Sequence, residues 1–119
     1  MRPDPIMKKI LLFLLGLFFV PMALAANKER VITLGGSVTE IVYELGLGER
    51  LIADDLSSLY PEAATRLPRV GYYRAVPVEG VVAMHPDLIL ASENAGPAQA
   101  LESISKLGVE VVKVSDRAS

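Results

Sequence analysis

Apolar residues recur along this chain in short blocks, and the spacing within each block predicts a strand or a helix. Four short β-branched or apolar runs predict strands, at residues 30–34, 51–53, 88–91 and 109–114. The run at 88–91 is apolar at every position, which is typical of a parallel strand buried on both faces. Helix-like segments separate the runs, so the pattern predicts an α/β fold with a parallel sheet and right-handed crossovers.

The first connection is predicted to form a helix that begins with a capping box after Gly35-Gly36. Ser37 is expected to cap this helix, and Glu40, three positions on, to reach back to the start of its first turn. Gly46 suits the end of the helix because glycine readily takes up the left-handed conformation found there. The predicted buried face carries three apolar side chains: Ile41, Val42 and Leu45.

Three more helical segments are predicted farther along the chain. A short helix starts near Pro61 and stops before Leu67, a second spans residues 77–84, and a third spans residues 97–107. The third is expected to turn four apolar side chains inward: Ala100, Leu101, Ile104 and Leu107. The chain is therefore predicted to be a Rossmann-like lobe, with a parallel sheet of about four strands flanked by helices.

The candidate binding chemistry lies in the loops that follow the predicted strands. Ligands bind at the carboxyl ends of strands in such sheets, and the loops expected at this edge are residues 35–37, 54–58 and 92–96. Residues 70–74, hereafter the tyrosine loop, lie in the long connection between the second and third strands and can reach the same edge. Two adjacent tyrosines and an arginine there need polar partners or water, so we predict that the tyrosine loop contacts a ligand.

The N-terminus has the form of a secretory signal peptide. A short basic segment at residues 7–9 precedes an apolar run at 10–20, and Ala-Leu-Ala at 23–25 forms a small-x-small cleavage site. The apolar run is shorter than the ~20 residues that a transmembrane helix needs, and an uncleaved anchor is the alternative. We therefore predict cleavage after Ala25 and export of residues 26–119.

Composition narrows the classes of function. The formal net charge is −2, and the predicted signal peptide contains three basic residues and one acidic residue, so its removal makes the product more acidic. Nucleic-acid binding is not expected, because it depends on basic surfaces. The chain has no cysteine, which excludes disulfides, thiolate metal sites and a cysteine nucleophile.

Enzymatic motifs give little support to a catalytic function. The Gly-Gly-Ser of residues 35–37 can hold an anion at a helix start, but it is a weak signal, and the full phosphate-binding motifs are absent. An exported α/β enzyme and a signal-anchored structural fragment without a ligand are therefore secondary hypotheses.

His85 is placed at a helix end, on the amino-terminal side of the third strand, and is not expected to bind metal. Asp54 and Asp55 are interpreted as polar residues at a strand end.

Several segments spread over residues 30–114 carry a resemblance to a known family. They are Arg30-Val-Ile-Thr-Leu34, Thr39-Glu40, Leu67-Pro-Arg-Val-Gly71, Glu79-Gly-Val-Val-Ala-Met-His-Pro-Asp87, Leu88-Ile-Leu90 and Leu107-Gly-Val-Glu-Val-Val112. These segments resemble the N-terminal lobe of periplasmic substrate-binding proteins of ABC importers for metal chelates, which carry haem, cobalamin and siderophores. The resemblance implies that residues 26–119 form half of a bilobal binding protein, and we expect a joining helix and a second lobe to continue the fold.

Within this family, the Val-Gly-Tyr-x-Arg pattern of residues 70–74 resembles the branch that binds haem. The resemblance implies that Tyr72 is an axial ligand of ferric haem iron, for which phenolate is a suitable hard donor. Arg74 is then expected to stabilise the phenolate or to pair with a haem propionate. Tyr73 is expected to stack on the porphyrin or to cover the lobe. Ser37 and the neighbouring amides are expected to line the cleft or to meet a propionate.

The resemblance also implies partners. Glu79 matches a glutamate by which this family docks each lobe onto arginines of the inner-membrane permease. The expected function is capture of haem in the periplasm and delivery to an ABC permease, with no catalysis and with an outer-membrane haem receptor system as an indirect partner. The same fold binding cobalamin or a ferric siderophore is the alternative.

Overall fold

The computed structural model describes residues 29–115, which form a four-stranded parallel sheet flanked by helices. The strands are β1 (Val31–Leu34), β2 (Leu51–Ala53), β3 (Leu88–Ser92) and β4 (Glu110–Val114). Their order across the sheet is β2-β1-β3-β4, and every neighbouring pair is parallel. The predicted α/β class and the four predicted strands are confirmed. The predicted signal peptide at residues 1–25 lies outside the described residues.

Strands β1 and β3 form the centre of the sheet because their side chains are apolar on both faces. On one face Ile32 and Ile89 belong to the larger core cluster, and both are completely buried. On the other face Val31 and Leu88 pack into a second cluster. β4 lies at the edge of the described sheet, and none of its residues is buried. The predicted burial of the third strand on both faces is confirmed.

Helices connect the strands and cover the two faces of the sheet. They are α1 (Gly36–Glu44), α2 (Val78–Val82) and α3 (Ala98–Lys106), with short 3-10 helices at Gly48–Arg50 and Glu62–Arg66. Residues of α2 and α3 belong to the larger core cluster, whereas Val42 of α1 belongs to the second. The three later predicted helices are confirmed in position, the first of them as a 3-10 helix. Within residues 29–115, no helix is long and apolar enough to span a bilayer.

The predicted capping box of Ser37 and Glu40 is wrong. α1 begins at Gly36, its cap residue is Gly35, and no side chain makes a hydrogen bond at that cap. A local cap is unnecessary because side chains from the loop after β2 accept hydrogen bonds from the first amides, as described below.

The predicted buried face of α1 is also wrong in part. The side chains that pack inward are Val38, Thr39 and Val42, whereas Ile41 and Leu45 are 37% and 51% exposed. Contact with the sheet selects which side chains of α1 are buried. Gly46 follows the helix with a φ of +76°, so the predicted end of the helix is confirmed.

The last apolar residue predicted to face inward from α3 is exposed. Ile104 is completely buried, whereas Leu107 follows the last turn and is 62% exposed. We expect Ile104→Ala to lower the free energy of unfolding by about 3 kcal/mol, because it removes a branched side chain from a packed core. Leu107→Ala is the matched control and should cost less than about 0.5 kcal/mol. Urea unfolding of both variants measures the difference, and equal losses would contradict this assignment of the core.

Candidate ligand-binding site

The loops that follow β1, β2 and β3 meet at the carboxyl edge of the sheet, and the tyrosine loop joins them. On one side the Leu56 amide donates to the Gly71 carbonyl at 2.7 Å. On the other side the Gly96 amide donates to the Tyr73 carbonyl at 2.9 Å, and the Val76 amide donates to the Gly96 carbonyl at 3.0 Å. The tyrosine loop is therefore held between the loop after β2 and the loop after β3, and its predicted place at this edge is confirmed.

The residues just before Tyr72 extend the sheet beyond β2. Asp54 and Arg69 form a parallel bridge, in which the Asp54 amide donates to the Pro68 carbonyl at 3.0 Å and the Val70 amide donates to the Asp54 carbonyl at 2.9 Å. Gly71 follows with a φ of +95°, a conformation that is accessible to glycine but strained for other residues. The chain therefore leaves the sheet at Gly71, directly before Tyr72.

Asp55 links three segments of this edge through a carboxylate that is completely buried. Its Oδ1 accepts hydrogen bonds from the Gly35 amide at 3.1 Å and the Ser58 hydroxyl at 3.0 Å, and its Oδ2 accepts one from the Tyr73 amide at 2.8 Å. The Ser57 hydroxyl donates to the same carboxylate, 2.9 Å from Oδ1. These hydrogen bonds replace the hydration that a buried carboxylate loses. We call Gly35, Asp55, Ser57, Ser58 and Tyr73 the Asp55 cluster.

A buried series of hydroxyl groups extends the Asp55 cluster into the lobe. Thr39 Oγ1 lies 2.7 Å from Thr33 Oγ1 and 2.7 Å from Ser58 Oγ, and all three residues are completely buried. Thr33 belongs to β1 and Thr39 to α1. The hydroxyl groups therefore connect a central strand and the first helix to the loop that carries Asp55.

The Gly35 and Gly36 amides at the start of α1 are not available to an anion, which corrects the expectation for these two amides. The Gly35 amide donates to Asp55, and the Gly36 amide donates to Ser57 Oγ at 2.8 Å. A Cβ atom on residue 36 would collide with the Ser57 carbonyl oxygen, so the close approach of the two loops requires glycine. Ser37 itself is exposed in the first turn of α1.

Asp54 is a second buried carboxylate at this edge, in different surroundings. Arg69 Nε lies 3.4 Å from Asp54 Oδ1, and within residues 29–115 neither oxygen of that carboxylate accepts a hydrogen bond. The guanidinium is shared, because it also donates to the Asp55 carbonyl at 3.2 Å and to the Ser58 carbonyl at 2.7 Å. Burial raises the pKa of Asp54 from 3.8 to about 7; Arg69 opposes this rise and Asp55 adds to it.

The sequence interpretation of Asp54 and Asp55 as strand-end polar residues missed their structural importance. The available signal was two consecutive carboxylates directly after an apolar strand, followed by serines able to donate to them. The decisive donors could not be identified, because Gly35 and Tyr73 are 20 and 18 positions away from Asp55 in the sequence.

Tyr72 presents an accessible phenol beside the Asp55 cluster. Tyr72 is 42% exposed. Its ring meets the Tyr73 ring edge-on, with the two centroids 5.0 Å apart. Among the described residues, no group forms a hydrogen bond with the Tyr72 hydroxyl. The structure thus leaves this oxygen available to a ligand.

Arg74 contacts Tyr73 and not the Tyr72 hydroxyl. Its Nε donates to the Tyr73 hydroxyl at 3.1 Å, and its guanidinium carbon lies 5.4 Å from the centroid of the Tyr73 ring. Support of a Tyr72 phenolate by Arg74 is therefore not the arrangement in this structure. Tyr73 is partly buried and packs against the larger core cluster, which agrees with its expected covering of the lobe.

A shallow depression of about 270 Å³ lies between the tyrosine loop and the start of α1. Its lining comes from the start of α1, the loop after β2 and the tyrosine loop, and consists of Gly35, Gly36, Ser37, Glu40, Ser57 and Tyr73. The Ser37 hydroxyl can donate or accept a hydrogen bond, the Ser57 hydroxyl already donates to Asp55 and can only accept, and the Glu40 carboxylate repels anions. The depression is therefore suited to polar groups of a ligand, and an anionic group would have to keep away from Glu40.

His85 and Glu79 occupy positions that the sequence anticipated. The His85 carbonyl accepts a hydrogen bond from Arg30 Nε at 3.0 Å, which places it beside the residue that precedes β1, at the amino-terminal edge. No group of three acidic or histidine side chains in the described part of the chain could hold a metal ion. Glu79 is exposed in the first turn of α2, where the helix dipole favours a carboxylate.

An open parallel α/β lobe with an exposed aromatic loop over its carboxyl edge is typical of the lobes of ligand-binding proteins. The family model described as "Periplasmic binding protein" matches residues 31–119, and the chain belongs to that family. Proteins of this family bind substrates. The family resemblance drawn from the sequence is therefore confirmed.

The similar proteins bind two kinds of ligand. The chain is 44% identical over 105 residues to the vitamin B12-binding protein of Vibrio vulnificus strain YJ016, an alignment that covers 88% of this chain and 38% of that protein. Its structure superposes on a periplasmic haem-binding protein from Pseudomonas aeruginosa with a TM-score of 0.71 and 37% identity, covering 73% of this chain and 31% of the other. The periplasmic vitamin B12-binding protein of Vibrio cholerae superposes with a TM-score of 0.67 and 35% identity, covering 72% and 34%. The chain thus spans under two fifths of the length of these proteins.

Proposed function

We propose that the full-length protein captures haem in the periplasm, after removal of a signal peptide at Ala25, and delivers it to an ABC permease in the inner membrane. The described residues supply one lobe, and haem lies over its carboxyl edge. The observation that carries this proposal is that Tyr72 is exposed and that its hydroxyl has no partner among the described residues.

Tyr72 has the chemistry that ferric iron requires. Its phenolate is a hard anionic oxygen donor, and tyrosine is an established type of haem ligand. The residues on both sides of Tyr72 are hydrogen-bonded to the lobe, so the phenol is presented from a fixed backbone. A ligand that is held in place before binding loses less affinity to conformational ordering.

The surroundings of Tyr72 can hold the rest of a haem molecule. Leu56 is 57% exposed, and its amide is bonded to the residue before Tyr72, so its side chain offers apolar surface to the macrocycle. Arg74 is exposed and uses its Nε for Tyr73, which leaves its terminal nitrogens for a propionate. Tyr73 and Ser37 line the depression next to the iron ligand.

Cobalamin is the second candidate ligand, and a specific observation favours it. The relative from Vibrio vulnificus quoted above is a vitamin B12-binding protein, and its alignment covers 88% of this chain. In that case Tyr72 would contact the corrin ring without binding metal. A ferric siderophore is a third ligand of the same general class.

Titration of the purified full-length gene product separates these candidates. We expect haemin to bind with a ferric tyrosinate absorption band and with an affinity at least about tenfold above that for cyanocobalamin or a ferric siderophore. Tighter binding of cyanocobalamin, with no haemin spectrum, would replace the proposal with the second candidate. Failure to bind any of the three would reject a metal-chelate binding function.

Glu79 is proposed as a docking residue for the permease. We expect Glu79→Gln to leave haemin affinity within about twofold and to lower haem uptake about tenfold, since it removes a charge that pairs with permease arginines. Transport in proteoliposomes that contain the cognate permease measures the effect. Glu44→Gln is the control, because Glu44 is also exposed but ends α1, on the other face of the sheet. Normal transport by Glu79→Gln would exclude the docking assignment.

A further inference from the structure

We infer that Asp55 is the positioning residue of the binding site, a carboxylate that sets where Tyr72 stands without touching the ligand. This inference rests on the proposed function, because Tyr72 is the ligand-contacting residue. Asp55 is completely buried. Its side chain accepts hydrogen bonds from the segment after β1, from the loop after β2 and from the tyrosine loop.

The geometry fixes Tyr72 from both neighbours. The residue before it, Gly71, accepts a hydrogen bond from the Leu56 amide at 2.7 Å. The residue after it, Tyr73, donates its amide to Asp55 Oδ2 at 2.8 Å. Both bonds lead to two consecutive residues of the loop after β2. The backbone of Tyr72 is therefore held at two points, one of which is a carboxylate.

The second carboxylate oxygen of Asp55 connects the loop after β2 to the residue that follows the central strand β1. Oδ1 accepts from the Gly35 amide at 3.1 Å, and Gly35 directly follows β1. The two oxygens thus join the tyrosine loop to the start of α1 across the depression. Because Asp55 bonds both sides of the depression, it sets the distance between Tyr72 and the start of α1. A ligand that contacts both would depend on that distance.

Asparagine cannot reproduce this arrangement. Both oxygens of Asp55 accept hydrogen bonds from backbone amides, whereas an asparagine side chain has one oxygen and one NH₂ group. In either orientation the NH₂ group would face an N–H donor, so either Gly35 or Tyr73 would lose its acceptor. The substitution is nearly isosteric, and its effect therefore reports on the hydrogen bonds and not on volume.

Asp55→Asn in the full-length protein tests the inference, with Asp54→Asn as the matched control. Asp54 is adjacent and equally buried, but its carboxylate bonds neither Gly35 nor Tyr73. In the absence of ligand, we expect Asp55→Asn to speed amide hydrogen exchange in residues 71–76 roughly tenfold, and Asp54→Asn to change it less than about twofold. With haemin, Asp55→Asn should raise the dissociation rate roughly tenfold and shift the tyrosinate band, while the control retains both.

The two readouts separate this inference from the proposed function. If the wild-type protein binds neither haemin nor cyanocobalamin, the function fails, but faster exchange confined to Asp55→Asn still shows that Asp55 positions the loop. If haemin binds and Asp55→Asn leaves exchange and dissociation at wild-type rates, the inference is overturned. Should Asp55→Asn not fold, Ser57→Ala serves instead, because it removes a hydroxyl that lies within 3.0 Å of both Asp55 oxygens. Several-fold faster exchange in residues 71–76 would then support the inference, and unchanged exchange would overturn it.

Discussion

Replacement of Tyr72 by phenylalanine is expected to abolish the ferric tyrosinate band of the haemin complex and to weaken haemin binding about 100-fold, or about 2.7 kcal/mol. The substitution removes the only atom that could coordinate iron from this side chain and leaves the ring in place. Because the Tyr72 hydroxyl makes no hydrogen bond within the described residues, its loss should leave the stability of the lobe within about 0.5 kcal/mol. Absorption spectroscopy and equilibrium titration of the full-length protein measure the two effects.

Two other tyrosines provide matched controls for this experiment. Tyr73→Phe removes a hydroxyl that already accepts a hydrogen bond from Arg74. Tyr60→Phe removes the hydroxyl of a tyrosine that is 69% exposed in the connection between β2 and the tyrosine loop. Both variants should retain the tyrosinate band. A band that persists in Tyr72→Phe would show that Tyr72 is not the sole iron ligand. A band that disappears in Tyr73→Phe would transfer the assignment to Tyr73.

Asp54 is expected to make the lobe less stable as the pH rises through about 7. Burial raises the pKa of this carboxyl group from 3.8 to about 7, against the opposing effect of Arg69. Between these two values the native state binds more protons than the unfolded chain, so the free energy of unfolding falls with increasing pH. The contribution is complete below about pH 4 and is lost above about pH 7, and the pKa difference corresponds to about 4 kcal/mol.

Comparison with Asp54→Asn isolates this contribution from those of other titrating groups. The asparagine is neutral at every pH, so the stability of the wild type relative to the variant should fall by about 4 kcal/mol between pH 4 and pH 8. Chemical denaturation at several pH values measures the difference. Parallel stability curves for the wild type and Asp54→Asn would contradict a raised pKa.

Much of the fold could be predicted because its signals are local. The apolar run that became β3 identifies itself as a doubly buried strand, and β3 indeed places Leu88 and Ile89 in the clusters on opposite faces. Gly46 marked where α1 stops, and it has a positive φ angle. Where the prediction failed, as for Leu45 and Leu107, an apolar residue near a helix end remained exposed because no element within residues 29–115 covers it.

The candidate site also has features that the sequence could predict and features that it could not. The chemistry of Tyr72 was visible in the sequence, since adjacent phenols in a glycine-containing loop are unsuited to a core strand. The hydrogen bond from Arg74 to Tyr73 could not be predicted, because neighbouring residues can point in several directions. The occupied amides of Gly35 and Gly36 could not be predicted either, because their acceptors belong to a loop that follows a different strand.

The sequence by itself determined the order of strands and helices along the chain, the parallel α/β class and the presence of two adjacent phenols in the tyrosine loop. These properties depend on apolar periodicity and on side-chain type, which are local. The tertiary structure alone decided that Asp55, and not a helix cap at Ser37, satisfies the start of α1 and holds the tyrosine loop. A buried carboxylate requires donors from wherever the folded chain brings them, and here they come from segments about 20 positions away on either side.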